Sequence, residues 1–256
     1  MDNIVDQISK NLYEFYDQIA QICGIYSEEQ DHWSVISNSS GIWPSATYKI
    51  DAGIDNQKSS AIFSKKINSG FYPELLIASD ENIQQLDPFL REKGFYPFSA
   101  WKGMAISNLE VITPPHLPET IRIVRPESSE EMEQWLNIVS SELVAPAEIE
   151  KTLLESLIAQ PGFEAFLLKF NGIGISTILT FNSVNSTGLY LIATTKSAQR
   201  QGFARLLIQQ ILSQIARKSK LPVILHATQT GEILYSKLGF LPYNQFFLYR
   251  YLKTNS

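Results

Sequence analysis

A proline-rich segment in the middle of the chain sets the strongest constraint on its fold. Residues 113–120 read TPPHLPET, and three of the eight are prolines. Because proline lacks an amide hydrogen and fixes φ, such a run fits neither a helix interior nor a central strand. We therefore place a domain boundary here, between a first half, residues 1–115, and a second half, residues 116–256. Each half is long enough to bury a core of its own.

The composition is that of a globular protein. Hydrophobic residues make up 44% of the chain and charged residues 18%, which is too apolar for disorder. No apolar run approaches the ~18 residues of a membrane span, and the acidic N-terminus does not resemble a secretion signal. The single cysteine, Cys23, excludes an internal disulfide. We expect a cytoplasmic protein that does not associate with membranes.

Charge is divided unevenly along the chain. The stretch from Asn185 to the C-terminus carries nine bases and one acid, a net charge of +8, whereas the first 184 residues carry −13. Either the basic stretch meets an anion, or the opposite charges favour packing of the two parts. A long nucleic acid is not the expected partner, because the acidic part would repel it. A compact polyphosphate fits better.

Hydrophobic periodicity predicts an α/β fold for the second half. Its predicted elements follow the order β-α-α-β-β-β-α-β-α-β, an antiparallel meander that passes into a parallel crossover. One of the helices is predicted at 147–159. In the first half the pattern predicts a helix at 3–23, and the remainder reads as aromatic and irregular.

Residues 199–207, QRQGFARLL, open the long helix of the crossover. The first amides of a helix have no acceptor within the helix, and the helix dipole adds partial positive charge. Gly202 and Ala204 let an anion approach the backbone, and Arg200 and Arg205 add positive charge. The segment therefore reads either as a pyrophosphate site or as an ordinary helix start.

Two motifs in this region resemble the GNAT superfamily of acyl-CoA-dependent N-acetyltransferases. Gln199–Ala204 fits the signature (Gln/Arg)-x-x-Gly-x-(Gly/Ala) between a strand and a helix. Downstream, Leu234–Phe240 reads LYSKLGF and is similar to the Leu-Tyr-x-x-x-Gly-Phe ending of that family. The resemblance covers residues 121–251. It implies a mixed, mostly antiparallel GNAT-type sheet flanked by helices.

The resemblance also implies roles for particular residues. Main-chain groups of three residues before the motif would pair with the pantetheine arm of coenzyme A, and one amide there would polarise the thioester carbonyl. Thr194, one of the three, stands where the family commonly has an aliphatic residue. Tyr235 matches the tyrosine that protonates the departing thiolate, and Thr228 a position that touches the cofactor. No metal is expected. The cofactor-binding candidates are Ile192, Ala193, Thr194, Arg200, Gln201, Gly202, Phe203, Ala204, Arg205 and Thr228.

No residue stands out as the general base. Glu142, Glu164 and His226 are candidates, but His226 alternates with Ile224 on a predicted buried strand and reads better as a core histidine whose hydrogen bonds are satisfied. The aromatic residues of 243–249 form either a wall of the acceptor site or a core between the halves. Trp33, Trp43 and Trp101 read as core.

A weak internal repeat links the two halves. The segment 88–106 matches 233–251 at a constant offset of 145 residues, and both copies keep Gly-Phe-x-Pro-aromatic, beginning at Gly94 and Gly239. Leu90 stands where the second copy has Tyr235, and the first half has no counterpart of QRQGFA. Either the match arises by chance or the first half is a smaller, degenerate GNAT-like domain. The resemblance implies the second reading, since the N-terminal half of tandem GNAT proteins is often catalytically silent and completes the acceptor cleft.

These observations predict an acetyl-CoA-dependent N-acetyltransferase that acts by direct transfer in a ternary complex. The acceptor would be a small-molecule or peptide amine, and the protein either a monomer or a homodimer. One rival hypothesis is an acyl-CoA sensor or interaction module without turnover. The other is a nucleic-acid-binding protein, which the acidic first half disfavours.

Overall fold

The computed structural model describes residues 3–73, 75–109 and 112–252. They form a mixed α/β fold in which helices flank a mostly antiparallel sheet, as the sequence predicts. The sheet is continuous and has eleven strands, with helices on both faces. None of the helices in these ranges has the length and apolar character needed to cross a membrane. The elements are, in chain order, α1 (Ile4–Cys23), β1 (Tyr26–Gln30), β2 (Trp33–Ser37), β3 (Ser45–Tyr48), α2 (Gln57–Asn68), β4 (Leu75–Ser79), α3 (Ile83–Glu92), β5 (Phe95–Ile106), β6 (Ile121–Val124), α4 (Ser129–Val139), α5 (Lys151–Ile158), β7 (Phe163–Phe170), β8 (Ile173–Asn182), β9 (Thr187–Thr194), α6 (Phe203–Lys218), β10 (Val223–Ala227), α7 (Gln229–Ser236) and β11 (Leu241–Tyr251).

The predicted order of elements in the second half is confirmed. The helix predicted at 147–159 is shorter than expected, since α5 begins only at Lys151. The reason is that the preceding residues pair with the loop after β2: the Glu148 amide donates to Gly41 O at 2.8 Å, and the Trp43 amide donates to Glu148 O at 2.8 Å. These bonds hold the chain extended where the sequence pattern favours a helix.

The expectation that the first half is mostly irregular is wrong. After α1 it contains five strands, all of which belong to the sheet, and two further helices. Its first strands are only four or five residues long, and β1, YSEEQ, is an edge strand with little apolar character. Such strands carry almost no hydrophobic periodicity, so the sequence pattern does not reveal them.

The two halves exchange their last strands. The strand order is β1-β2-β3-β4-β11-β5-β10-β9-β8-β7-β6. The first half therefore places β5 beside β10 of the second half, and the second half places β11 beside β4 of the first, in both cases antiparallel. Each half therefore needs a strand of the other half beside its own strands: β4 pairs with β11, and β10 pairs with β5.

The pairing of β5 with β11 is symmetric under the internal repeat. Phe246 pairs with Trp101, its own counterpart at the offset of 145 residues, and the register on either side repeats in mirror order. Gly94 and Gly239 precede these strands with φ of 85° and 94°, a conformation that favours glycine, and each follows a helix of its half. The repeat in the sequence thus corresponds to a repeat in the structure.

The predicted boundary at 113–120 lies in the connection between β5 and β6. One continuous sheet runs through both halves, so the division into two independent domains stays a prediction.

The strand exchange predicts that neither half folds alone. Residues 1–115 and 116–256, expressed separately, should each lack cooperative urea unfolding, because each leaves a central strand unpaired. Mixing or co-expressing the two fragments should restore a soluble complex with a single transition, measured by circular dichroism. Cooperative unfolding of either fragment as an isolated monomer would contradict the exchange.

Candidate active site

A gap opens between two neighbouring parallel strands of the second half. The strands β9 and β10 pair only at the start of β9, and the last pair joins Leu189 to Leu225. Ile192, Ala193 and Thr194 continue β9 beyond this point, and no pairing with β10 is found there among the described residues. The main chain of β9 is therefore open toward β10 over its last residues.

A bulge in β9 produces this separation. Leu191 has a φ of 49°, which is rare for a non-glycine residue, and the register with β8 shifts between Thr177 and Leu179. The Thr177 hydroxyl donates to Leu191 O at 2.9 Å and fixes the bulged peptide. The predicted main-chain residues Ile192 to Thr194 follow this bulge directly.

A second hydroxyl holds the strand after the bulge. Ser176, fully buried on β8, donates to Ala193 O at 2.7 Å. Its oxygen lies 2.8 Å from Thr194 Oγ1, and because the Ser176 proton is already used, Thr194 is the donor. The unusual threonine at 194 thus has a structural role on the β8 side of β9. The binding of a cofactor by the main chain of residues 192–194 stays a prediction.

The N-terminus of α6 has no side-chain cap. Gly202 occupies the cap position with φ 89°, and within residues 3–73, 75–109 and 112–252 no side-chain cap hydrogen bond is found at this helix start. A Cβ at Gly202 would meet no protein atom within 4 Å. The positive φ is therefore what requires glycine here, and the space beside it is free for a ligand. Arg200 also has a positive φ, 63°, and alternation of left- and right-handed residues is typical of anion-binding turns.

Three exposed cations surround this turn. Lys196, Arg200 and Arg205 lie at the surface, and in the described part of the chain no carboxylate pairs with them. The nearby Glu142 accepts hydrogen bonds from the Lys196 amide at 3.3 Å and from the Gln199 side chain at 3.5 Å. The turn is thus electropositive as well as uncapped, which suits an anion.

The corresponding helix of the first half is closed. In that half, α2 connects the parallel strands β3 and β4, as α6 connects β9 and β10. Its cap residue, Asn56, accepts a hydrogen bond from the Ser59 amide at 2.9 Å. The side chain thus occupies the position that an anion would take. The first half lacks an open helix terminus at this place, as the missing QRQGFA counterpart predicts.

Thr228 and Tyr235 lie on the other side of the gap, beyond β10. Thr228 caps α7 and accepts a hydrogen bond from the Gly231 amide at 3.2 Å. Tyr235 is 8% exposed and lies in the same apolar cluster as Phe203 of α6 and Ile192 of β9. Burial raises its pKa above the ordinary value, so the phenol stays protonated at neutral pH. The predicted residues thus lie on β9 and on or just before the two helices that follow β9 and β10, and Tyr235, Phe203 and Ile192 share one apolar cluster.

The candidate bases lie at different places. Glu164 contacts Arg125 at 2.6 Å and Lys218 at 3.5 Å. Lys218 ends α6, whose sixteen residues place it about 24 Å from the uncapped N-terminus. Glu164 therefore lies far from the open N-terminus of α6, whereas Glu142 borders the cationic turn.

His226 is the next residue of β10 after its last pair with β9. Its ring lies among Phe246, Tyr190 and Trp101, with centroid distances of 5.0, 6.0 and 6.4 Å. Both ring nitrogens are buried and have no hydrogen-bond partner among the described residues. The ring lies among core side chains, as expected, but the described residues supply no hydrogen bond to it. Burial lowers its pKa to about 3, so the imidazole is neutral.

Most of the other aromatic residues singled out in the sequence lie in two different apolar cores. The Tyr249 hydroxyl donates to Asp87 at 2.8 Å, and its ring lies in the core of the first half, against which Phe247 also packs. Trp33 is buried in the same core, while Trp43 and Trp101 are only partly buried beside the core under α1. Phe246 is fully buried in the core under α1, beside His226, so the aromatic residues of β11 are mainly core. Tyr243 is the exception and is 40% exposed.

The sequence pattern missed the contact of α1 with β9. Asn11 of α1 donates to Ser186 Oγ at 3.0 Å and accepts from the Tyr190 hydroxyl at 2.7 Å. The Phe15 ring stacks on Tyr190 with a centroid distance of 3.7 Å. Helix α1 of the first half therefore fixes the start of β9, the strand that bulges. In the sequence, only the polar Asn11 on the apolar face of α1 indicates this contact.

Comparison with known proteins agrees with this geometry. Residues 124–248 match a family model described as the acetyltransferase (GNAT) domain. The chain carries a GNAT acetyltransferase domain. The match includes β7 to β10, α6 and α7, and thus all the residues of the gap described above. The resemblance of the two sequence motifs to this family is confirmed.

Solved structures extend the likeness to both halves. A GCN5-related N-acetyltransferase from Kribbella flavida superposes with a TM-score of 0.68 at 16% identity, covering 94% of this chain and 95% of that one. One from Sphaerobacter thermophilus gives 0.64 at 14%, with 85% and 76% covered. A tandem GNAT protein from the clavulanic acid biosynthesis pathway gives 0.62 at 9%, with 87% and 79% covered. At these identities the likeness establishes the fold alone. A search of curated protein sequences gave no match.

The Ser176 hydroxyl provides a test of how β9 is held after the bulge. Ser176→Ala should lower the free energy of unfolding by about 1–3 kcal/mol, since Ala193 O and the Thr194 hydroxyl both lose a buried partner. Urea unfolding measures this loss, and hydrogen exchange should be faster at the amides of residues 192–194. Thr177→Ser keeps the hydroxyl on Leu191 O and serves as the control. Equal stability and exchange in Ser176→Ala would contradict the role.

Proposed function

We propose that the chain transfers an acetyl group from acetyl-CoA to an amine acceptor by direct attack in a ternary complex. The observation that carries the proposal is the uncapped, cationic N-terminus of α6 beside the gap between β9 and β10. The N-terminus of α6 suits an anion, and the gap between β9 and β10 offers unpaired main-chain groups of β9. Acetyl-CoA combines a pyrophosphate with an extended amide-containing arm, so it fits both.

The amides of residues 200–205 hold the pyrophosphate. Their helix has no side-chain cap, and Gly202 leaves space beside the turn. Lys196, Arg200 and Arg205 neutralise its charge from the rim. The closed N-terminus of α2 means that the corresponding helix of the first half does not repeat this site.

The end of β9 binds the arm and activates the thioester. Ile192, Ala193 and Thr194 pair with the amides of the arm as an additional strand would. An amide of this segment donates to the carbonyl oxygen as it gains negative charge. The bulge at Leu191 and the Ser176 hydrogen bond fix its direction before the substrate binds.

Tyr235 holds the proton that the sulfur takes up. When the amine nitrogen bonds to the carbonyl carbon, the carbon–sulfur bond breaks and its electron pair stays on sulfur. The buried Tyr235 phenol is protonated at neutral pH and donates to that sulfur, and water returns a proton to the phenolate. The nitrogen releases one proton to water, so the products are an amide and a free thiol. Thr228 contacts the cofactor at the start of α7.

Gly202→Ala should weaken coenzyme A binding by about 10-fold or more, because the new Cβ strains the turn and enters the space beside it. Calorimetric titration of coenzyme A measures the change. Gly172→Ala is a matched control, since Gly172 has a φ of 85° and also has no atom within 4 Å of the added Cβ. The backbone strain in Gly172→Ala should be similar to that in Gly202→Ala. Its affinity for coenzyme A should equal that of the parent. Equal affinities of all three proteins would refute the site.

Tyr235→Phe should lower kcat by about 10- to 1,000-fold and leave coenzyme A affinity within a factor of two, because only the departing sulfur needs the hydroxyl. Thiol release over a range of pH measures kcat. Tyr96→Phe, at an exposed tyrosine of β5, serves as the control and should keep the parent kcat. A Tyr235→Phe rate equal to the parent at every pH would remove the residue from the mechanism.

A further inference from the structure

We propose that His226 is the residue that receives the acceptor, which is a primary amine carried on an aromatic or aliphatic body. A ring nitrogen of the neutral imidazole accepts a hydrogen bond from the attacking amine, and the rings around it contact the apolar body. The inference rests on the proposed function and names the acceptor side of the same site.

The position of His226 supports this role. It follows the last residue of β10 that pairs with β9, so it lies where the gap begins. The thioester carbonyl, held by the end of β9, reaches the same gap. An amine bonded to His226 therefore approaches the carbonyl from the face of the sheet that α1 covers, opposite to α6 and Tyr235.

The chemistry of its surroundings defines the acceptor. Buried polar groups in proteins are almost always hydrogen-bonded, yet neither nitrogen of His226 has a partner among the described residues. The ring stays neutral because burial lowers its pKa to about 3, so it can accept a hydrogen bond. Trp101, Tyr190 and Phe246 surround it with rings, which favour an apolar or aromatic body over a second charge.

The internal repeat shows that folding does not require histidine here. His226 pairs with Gly103 on β5. The repeat equates Gly103 with Leu248 on β11, and Leu248 pairs with Ile77 on β4. Ile77 is thus the counterpart of His226, and it is fully buried among apolar residues. The silent half fills this position with isoleucine, whereas the half with the open helix terminus has an imidazole.

A second unpaired group adjoins His226. Asn244 pairs with Gly103 on its other side, and a Cβ at Gly103 would come within 1.9 Å of Asn244 Oδ1. This oxygen therefore lies over Gly103, in the direction of β10, and it too has no partner among the described residues. The alternative is a purely structural role, in which an internal water bonds to both His226 and Asn244 Oδ1. In that case amine binding would not depend on either residue. The test separates these roles.

The experiment compares His226→Ile with the parent, using 2-phenylethylamine and spermidine as acceptors. The parent should acetylate 2-phenylethylamine with the higher kcat/KM. In His226→Ile the kcat/KM for that amine should fall about 10- to 100-fold, while the KM for acetyl-CoA stays within a factor of two. Ile77→His places the same side chain at the equivalent position of the silent half, and it should keep the parent kinetics.

A direct binding measurement completes the test. The chain has only three histidines, so the imidazole nitrogen resonances can be assigned individually by NMR. Adding 2-phenylethylamine to the protein with coenzyme A should shift the nitrogens of His226 and leave those of His32 and His116 unchanged.

The outcomes are distinct. No coenzyme A binding and no turnover in the parent would overturn the proposed function and this inference with it. Turnover in the parent with unchanged amine kinetics in His226→Ile, or without a shift of His226, would overturn this inference alone. A lower melting temperature with parent-like amine kinetics would assign His226 to the core, and a preference for spermidine would overturn the acceptor class.

Discussion

The structure depends on the antiparallel pairing of β5 with β11. These strands are the longest in the sheet, with twelve and eleven residues, and each belongs to one half and pairs on its far side with the other half. The pairing joins two smaller sheets into one and buries a shared core under α1. Without it, β5 and β11 would be edge strands with free main-chain groups. The positions of α1 and of β10, and therefore the shape of the gap, follow from this pairing.

The two halves are similar in arrangement but differ at the positions where chemistry is possible. Asn56 closes the N-terminus of α2, whereas Gly202 leaves that of α6 open. Leu90 corresponds to Tyr235, and Ile77 corresponds to His226. At each of these positions the first half has a residue that caps a helix or packs in the core. The second half has a residue there that leaves room for a ligand or carries a polar group. The first half keeps the fold and supplies α1 and β5 as a support for the second.

Much of this could be predicted from the sequence, and the reasons are physical. The second half has long strands and an amphipathic helix, so its hydrophobic periodicity is strong and its element order was correct. The residues 199–205 and 234–240 carry motifs whose spacing reflects the site itself, and the family model confirms them. The repeat at Gly94 and Gly239 was visible because a positive φ restricts the residue type.

The rest depends on long-range contacts that leave no local pattern. The strands of the first half are too short for a clear period, and which strand pairs with β5 is not encoded near β5. The environment of His226 arises from three rings on three different strands, so its unpaired nitrogens could not be foreseen from alternation with Ile224. Asn11 on α1 is likewise explained only by Ser186 and Tyr190, more than 170 positions away.

The central claim is that the second half alone holds a pyrophosphate, at the open N-terminus of α6. The most direct measurement is a map of backbone amide shifts by NMR as coenzyme A is added to the whole protein. The account predicts the largest shifts at the amides of residues 200–206, further shifts at 191–194, and none at 56–60, where Asn56 closes α2. Shifts centred on α2, or none at the start of α6, would contradict it.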